Sequence, residues 1–260
     1  MNTTKPTIKK WYERLSFPEK YDDAFYGALE SIIVSPDATL DAYDKTSEDG
    51  LKNLLHYLYF CEATERLYEE KGLPKEILFD TLSDIVIWTE IWSDVKGTLY
   101  LGELPWLALH LSARLFKVGR LQYAFPPARD GVVPQTVEVH IPAVGPLLPE
   151  DASRSLDAAR AFFDAFFPEY EYDRFTCDSW LLDETLKKYL KPESNIVRFG
   201  DLFTRVSEVA ANSVMKYVLG WGVTTETLKD APTTSSFAAR VKDAILAGEQ
   251  FHRTFGYILK

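Results

Sequence analysis

The chain has two cysteines among its 260 residues, Cys61 and Cys177, far apart and without CxxC or Cys/His spacing. Neither a disulfide framework nor a structural zinc site is expected, no metal is called for, and the natural setting is a reduced cytoplasm. Long apolar runs are missing as well. No stretch approaches the ~18 consecutive apolar residues of a membrane span, and the opening MNTTKPTIKKWYERL has no apolar segment, so neither a signal peptide nor a helical anchor is expected. Basic residues are in the minority, 29 Lys and Arg against 39 Asp and Glu for a net charge of −10. With no basic stripe to release counterions from phosphates, nucleic acid is excluded as a partner.

What is present is ordinary globular composition: 46% of residues are hydrophobic and 14% aromatic. A chain of this length buries roughly three-quarters of its unfolded surface and needs no cross-link to hold a core. The acidity is uneven. Residues 1–115 carry 12 basic and 20 acidic side chains, whereas residues 116–260 carry 17 and 19, so the second part leaves room for an anionic ligand.

The first part reads as successive helices. Ser35-Pro36 predicts one helix start, and Ser47 another, for a segment with Leu51, Leu54, Leu55, Leu58 and Cys61 at helical spacing that stops at Gly72. Pro74 opens a further helix with Ile77, Leu78, Leu82, Ile85 and Trp92 as its apolar stripe; Pro105 starts the last, through Leu107, Leu111 and Leu115, with the helical region ending near Gly119.

The period then changes from helical to alternating. Residues 120–125 and 136–141 are expected as paired strands around a turn region with Pro126-Pro127 and Asp130-Gly131, followed by a helix over 149–167. Further on, 172–180 reads as a strand, 183–190 as a short helix, 195–206 as a long strand, 214–219 as another strand, 236–247 as a helix and 251–259 as a final strand. The expected fold class is α+β: a helical domain over 1–118, then a mixed domain over 119–260 built on a central, mostly antiparallel sheet.

Three strings carry a resemblance: GELPWLALHLSARLFKVGRLQYAF at 102–125, VHIPAVGPLLPE at 139–150 and CDSWLLDETLKKYLKPESNIVRF at 177–199, supported by GLP at 72–74 and LSDI at 82–85. They resemble an acyltransferase family that joins a helical N-acyltransferase N-terminal domain to a GNAT-like C-terminal domain. The resemblance spans about Leu51 to the end. It implies acetyl-CoA or another acyl-CoA as co-substrate, an amine acceptor that is a small molecule or peptide, and a site where a central strand splays from its neighbour.

In that arrangement the CoA pyrophosphate meets the loop and helix after strand 136–141, which assigns Ile141, Val144, Gly145, Leu147, Leu148 and Arg154 to the cofactor. Backbone N–H groups at a helix start lack internal partners and carry partial positive charge, which suits an anion there. The sequence departs from the usual pattern at this place. The R/Q-x-x-G-x-G/A signature is absent, Gly145 is the loop's only glycine, and Glu150 and Asp151 sit in the first helical turn. A capped helix with no ligand is the competing reading.

His140 is the leading candidate for chemistry. If Val137, Val139 and Ile141 share one face of the strand, His140 lies on the other with Glu138, and an imidazole near neutrality can take a proton from an attacking amine. A histidine held only for structure is the alternative. Asp178 stands where the family pattern has a histidine; it is assigned a supporting catalytic role, as proton acceptor or as the group that orients His140. Tyr189 is assigned to protonate the departing CoA thiolate, against a tyrosine that merely packs its ring.

Ser179, Trp180, Asn195 and Arg198 are assigned to substrate, Arg198 either holding an anion or pairing with a carboxylate on a neighbouring strand. Cys177 as a nucleophile activated by His140 is a third reading, set against a buried inert thiol. His56, His110 and His252 read as structural or surface residues, and Gly220-Trp221-Gly222 is too short a fragment to mark a nucleotide site. The function that follows is acyl transfer from CoA to an amine, with a non-catalytic binding protein on the same scaffold as the alternative.

Overall fold

The computed structural model describes residues 4–128 and 134–260, and the chain divides into two compact units, Met1–Val118 and Gly119–Lys260. The first contains α1 (Thr4–Arg14), α2 (Asp22–Ser31), α3 (Gly50–Glu70), α4 (Lys75–Leu82), α5 (Asp84–Lys96), α6 (Leu104–Leu111) and a short strand β1 (Leu115–Val118). The apolar face of α3, with Leu54, Leu55, Leu58 and Cys61, is sealed in the core together with Trp11 and Phe25. That burial of periodic apolar positions is what holds the helices, since isolated segments of this length are marginal in water.

Local chemistry adjusts several expected boundaries. Ser35-Pro36 does not start a helix: the Ser35 hydroxyl accepts from the Asp37 amide at 3.2 Å and its carbonyl from Ala38 at 3.1 Å, which closes a turn. The cap of α3 is Asp49, whose carboxylate accepts from the Lys52 amide at 3.1 Å, and not Ser47 two residues earlier. The helix begun at Pro74 is broken at Ser83, where the hydroxyl donates back to the Asp80 carbonyl at 2.7 Å. Gly97, at φ +69°, ends α5 in the left-handed region that favours glycine.

A polar cluster lies inside this unit. The buried Asp84 carboxylate accepts from the indole N–H of Trp88 at 3.1 Å and of Trp106 at 2.9 Å, and lies 3.1 Å from His110 Nε2. The other ring nitrogen of His110 is 3.1 Å from the Trp106 carbonyl. His110 is thus a structural residue, as its lack of metal-ligand spacing implied.

The second unit contains β2 (Leu121–Ala124), β3 (Thr136–His140), α7 (Pro149–Phe166), β4 (Arg174–Ser179), α8 (Asn195–Gly200), β5 (Thr204–Ala210), α9 (Ser213–Leu219), α10 (Ser236–Leu246) and β6 (His252–Leu259), with short 3-10 turns at Trp180–Leu182 and Glu184–Lys188. Its strands run in the order β2-β3-β4-β6-β5. Only β3 and β4 are parallel; the other three pairs are antiparallel, so the α+β class with a mostly antiparallel sheet holds. α7 is fixed on β2 through the buried Ser155 hydroxyl, which accepts from the Leu121 amide at 3.0 Å and lies 3.0 Å from the Tyr123 hydroxyl.

Two expected strands are helices. Residues 195–200 form α8, capped by the Ser194 hydroxyl, which accepts from Val197 N at 3.3 Å; the strand that follows is only Thr204–Ala210. Residues 213–219 form α9, with Val214, Met215 and Leu219 buried. Both are short enough, six and seven residues, for alternation and β-branched side chains to imitate a strand. The Asp130-Gly131 turn lies outside the described residues. Among the described residues no helix is long and apolar enough to cross a membrane.

Candidate functional site

The parallel pair β3 and β4 defines the site. Their ladder runs from Thr136 opposite Arg174 to Glu138 opposite Thr176, and both strands continue past its end, β3 to His140 and β4 to Ser179. Each strand stays paired on its far side, Gln122 against His140 and Ser179 against Thr254. The two central strands therefore part where His140 and Asp178 stand.

Alternation sets the direction of the side chains. Val137 and Val139 are fully buried, so Glu138 and His140 share the more open face, with His140 Nε2 3.6 Å from the Glu138 carboxylate. On β4, Cys177 is buried and its thiol pushed up by desolvation, with Asp178 and Glu138 adding to the effect. A nucleophilic cysteine needs the opposite shift, so the thiol is a core group. Asp178 is exposed and pairs with Arg253 Nε at 3.0 Å across to β6, a contact with no counterpart in the sequence reading.

Beyond the strand, Ser179 caps the 3-10 turn, accepting from the Leu181 amide at 3.2 Å. Trp180 packs on the cluster of Leu186, Val214, Val241 and Phe251 and stacks on Tyr217, centroids 6.0 Å apart. Tyr189 follows the second 3-10 turn, where a short helix was expected. Its hydroxyl donates to Glu249 at 2.8 Å; burial and that carboxylate raise its pKa, so the phenol keeps its proton.

The loop after β3 is organised by Arg120. Its Nη1 donates to the Pro142 carbonyl at 3.2 Å, its Nε to Pro146 at 3.0 Å and its Nη2 to Gly145 at 3.4 Å. Gly145 takes φ +54° in open space, Ile141 and Val144 are half-buried, Leu147 is buried and Leu148 is exposed at the head of α7.

The carboxylates that crowd the first turn of α7 are matched by cations. Glu150 accepts from Arg198 at 3.2 Å, and Asp151 pairs with Arg154. Glu150 is held below the usual carboxylate range by its own backbone amide first, then by Arg198 and Arg154. Arg198 lies on α8 and not on a strand, so its carboxylate partner is on a helix; Asn195 is the first residue of the same helix. Among the described residues no three His, Cys, Asp or Glu side chains gather into a group that would hold a metal ion.

A sheet with two parting parallel strands, with a loop and a long helix after the first of them, is the arrangement expected of a GNAT-like domain. Residues 115–258 match the model of the GNAT-like C-terminal domain and residues 6–113 that of the N-acyltransferase N-terminal domain, so the chain belongs to the family that joins these two domains. No curated protein sequence matched. Among solved structures, an acyltransferase in complex with decanoyl-CoA and teicoplanin is 24% identical with a TM-score of 0.82, covering 97% of this chain and 87% of that one. An acyltransferase with CoA and 10C-teicoplanin is 23% identical with the same score and coverage, and a mutant acyltransferase with octanoyl-CoA is 22% identical with a TM-score of 0.80.

Proposed function

We propose that the chain is an acyl-CoA-dependent acyltransferase that passes the acyl group to an amine. The observation that carries this reading is the parting of β3 and β4 beside the half-exposed His140. The thioester would lie in that opening, with the CoA pyrophosphate against loop 142–148 and the start of α7. Arg198 of α8 and Arg154 of α7, now paired with Glu150 and Asp151 of the first turn of α7, would meet phosphate oxygens there. The acyl-CoA and CoA held by the structural neighbours support the same co-substrate here.

The chemistry follows from the groups present. The acceptor nitrogen adds to the thioester carbonyl carbon while His140 takes its proton; the tetrahedral intermediate collapses to the amide and expels the CoA thiolate. Tyr189 is the candidate to protonate that thiolate once its hydroxyl turns from Glu249, to which it now donates. Asp178, paired with Arg253, would orient or take up charge beside His140, and Ser179, Trp180 and Asn195 would contact the acceptor.

The test is a thermal-shift titration with decanoyl-CoA, acetyl-CoA and CoA, with ATP as control, followed by thiol release with a panel of amines. A ligand at 100 times its Kd stabilises the native state by about 2.7 kcal/mol, a shift of several degrees. We expect stabilisation by the CoA species and not by ATP. His140→Ala should bind acyl-CoA normally and lose about 10²–10⁴-fold in turnover. Equal turnover in that variant would remove His140 from the chemistry, and no shift at millimolar CoA would overturn the acyltransferase reading.

A further inference from the structure

The usual glycine-rich phosphate loop owes its shape to residues without a Cβ, which let the backbone turn its amides toward the anion. Loop 142–148 has one glycine and three prolines or branched residues around it, Pro142, Val144 and Pro146, so its conformation needs another cause. The geometry supplies one. Three different nitrogens of the Arg120 guanidinium each donate to a different carbonyl of this loop, at 3.0, 3.2 and 3.4 Å, from a position 22 to 26 residues earlier in the chain. The Val144 amide closes a tight turn onto the Pro142 carbonyl at 2.8 Å within the same span.

We propose that Arg120 is the positioning residue of the CoA pyrophosphate loop: its guanidinium gathers the carbonyls of Pro142, Gly145 and Pro146 to one side and so orders the loop that receives the diphosphate. The inference rests on the acyl-CoA reading above. Three of the five N–H groups of Arg120 go to loop carbonyls, so its guanidinium is committed to the shape of the loop. A planar fork with several fixed donors suits this task, and an ammonium group does not, since it cannot span carbonyls on three residues in one geometry. Arg120 sits one residue past Gly119 and directly before β2, whose Leu121 amide is bonded to Ser155 of α7. The loop is thereby tied to β2, which pairs with β3 before the loop and is bonded to α7 after it.

The experiment compares wild type, Arg120→Lys and Arg120→Met by calorimetric binding of decanoyl-CoA and of decanoyl-pantetheine, which keeps the thioester and lacks the diphosphate. Hydrogen exchange over 142–148 and thermal unfolding are measured on the same samples. Both variants should lose about tenfold or more in affinity for decanoyl-CoA and keep wild-type affinity for decanoyl-pantetheine. The loop should exchange faster while the rest of the second unit exchanges as before.

Unchanged decanoyl-CoA affinity in either variant, full rescue by lysine, or equal loss for both ligands would overturn the proposal, the last by marking Arg120 as a general structural residue. Wild type that binds decanoyl-pantetheine but gains nothing from the diphosphate would overturn it too, leaving the acyltransferase reading intact. Wild type that binds neither ligand would remove both readings together. If Arg120→Met fails to fold, Arg120→Lys keeps the comparison, since it retains charge and stem length.

Discussion

In the helical unit Asp84 and His110 stand 3.1 Å apart with side chains 3% and 0% exposed; in the second unit Glu138 and His140 stand 3.6 Å apart, 28% and 31% exposed. The chemical groups are the same and the environments are opposite. Asp84 is closed in by two indole N–H donors and an imidazole, so its charge is met wholly by protein. Glu138 and His140 are partly exposed on their face of β3 at the place where β4 departs, although His140 Nε2 itself is buried. A sealed pair is a part of the fold, because breaking it strands a charge in low dielectric. A partly exposed pair at a parting of strands is partly screened by solvent, so less of the fold depends on it.

The difference predicts where substitution is felt. Asp84→Asn removes the negative charge at Oδ2, the one oxygen on which both indoles and the imidazole converge. The loss expected is about 3–5 kcal/mol in urea unfolding of the helical unit, the range for removing one member of a buried pair. Decanoyl-CoA affinity measured on protein still folded should be unchanged. A loss under about 1 kcal/mol would mean that the cluster is not the anchor its geometry implies.

How much of this contrast can be read from residues alone depends on distance along the chain. The helical stripe of α3, the α7 segment and the final strand follow from periodicity, and the burial of Val137 and Val139 that turns His140 outward follows from alternation. α8 and α9 resemble strands in sequence because one or two turns of helix are too short to show a period; Ser194 before Asn195 is a local signal of helix, a capping hydroxyl. The contacts that shape the site are non-local. Arg198 meets Glu150 across 48 residues, Tyr189 meets Glu249 across 60, and Arg120 reaches its loop across 22 to 26. An arginine or a glutamate shows no pattern that names so distant a partner, so Arg120, Glu249 and Arg253 carried no signal in the sequence.

A smaller effect sharpens the comparison within the helical unit. Glu65 is bound by both ends of the Arg14 guanidinium, at 2.7 and 3.0 Å, with Lys10 nearby at 3.5 Å. The Arg14 hydrogen bonds hold its carboxyl below the usual range. A carboxyl depressed in the folded state contributes stability that is fully present above its unfolded pKa of about 4.3 and is lost as pH falls through the folded value. Urea midpoints should therefore drop below about pH 4.5, and Glu65→Gln should flatten that acid limb, by about 1 kcal/mol for this partly buried pair. An unchanged limb would assign acid sensitivity to other carboxylates.

The smallest effect on stability is expected from the open pair itself. Glu138→Gln keeps the shape of the side chain, removes a charge that water already screens, and leaves His140 on the same face of β3. Its unfolding free energy should stay within about 0.5 kcal/mol of wild type, the range for surface substitutions. Because Glu138 neither receives the acceptor's proton nor touches the loop that Arg120 organises, turnover should fall by about tenfold or less, well short of the loss in His140→Ala. Both readouts are needed. A destabilisation as large as that of Asp84→Asn would show that solvent access does not separate the two pairs. A turnover loss equal to that of His140→Ala, with stability intact, would instead make Glu138 a partner in proton transfer and extend the reacting centre one step along β3.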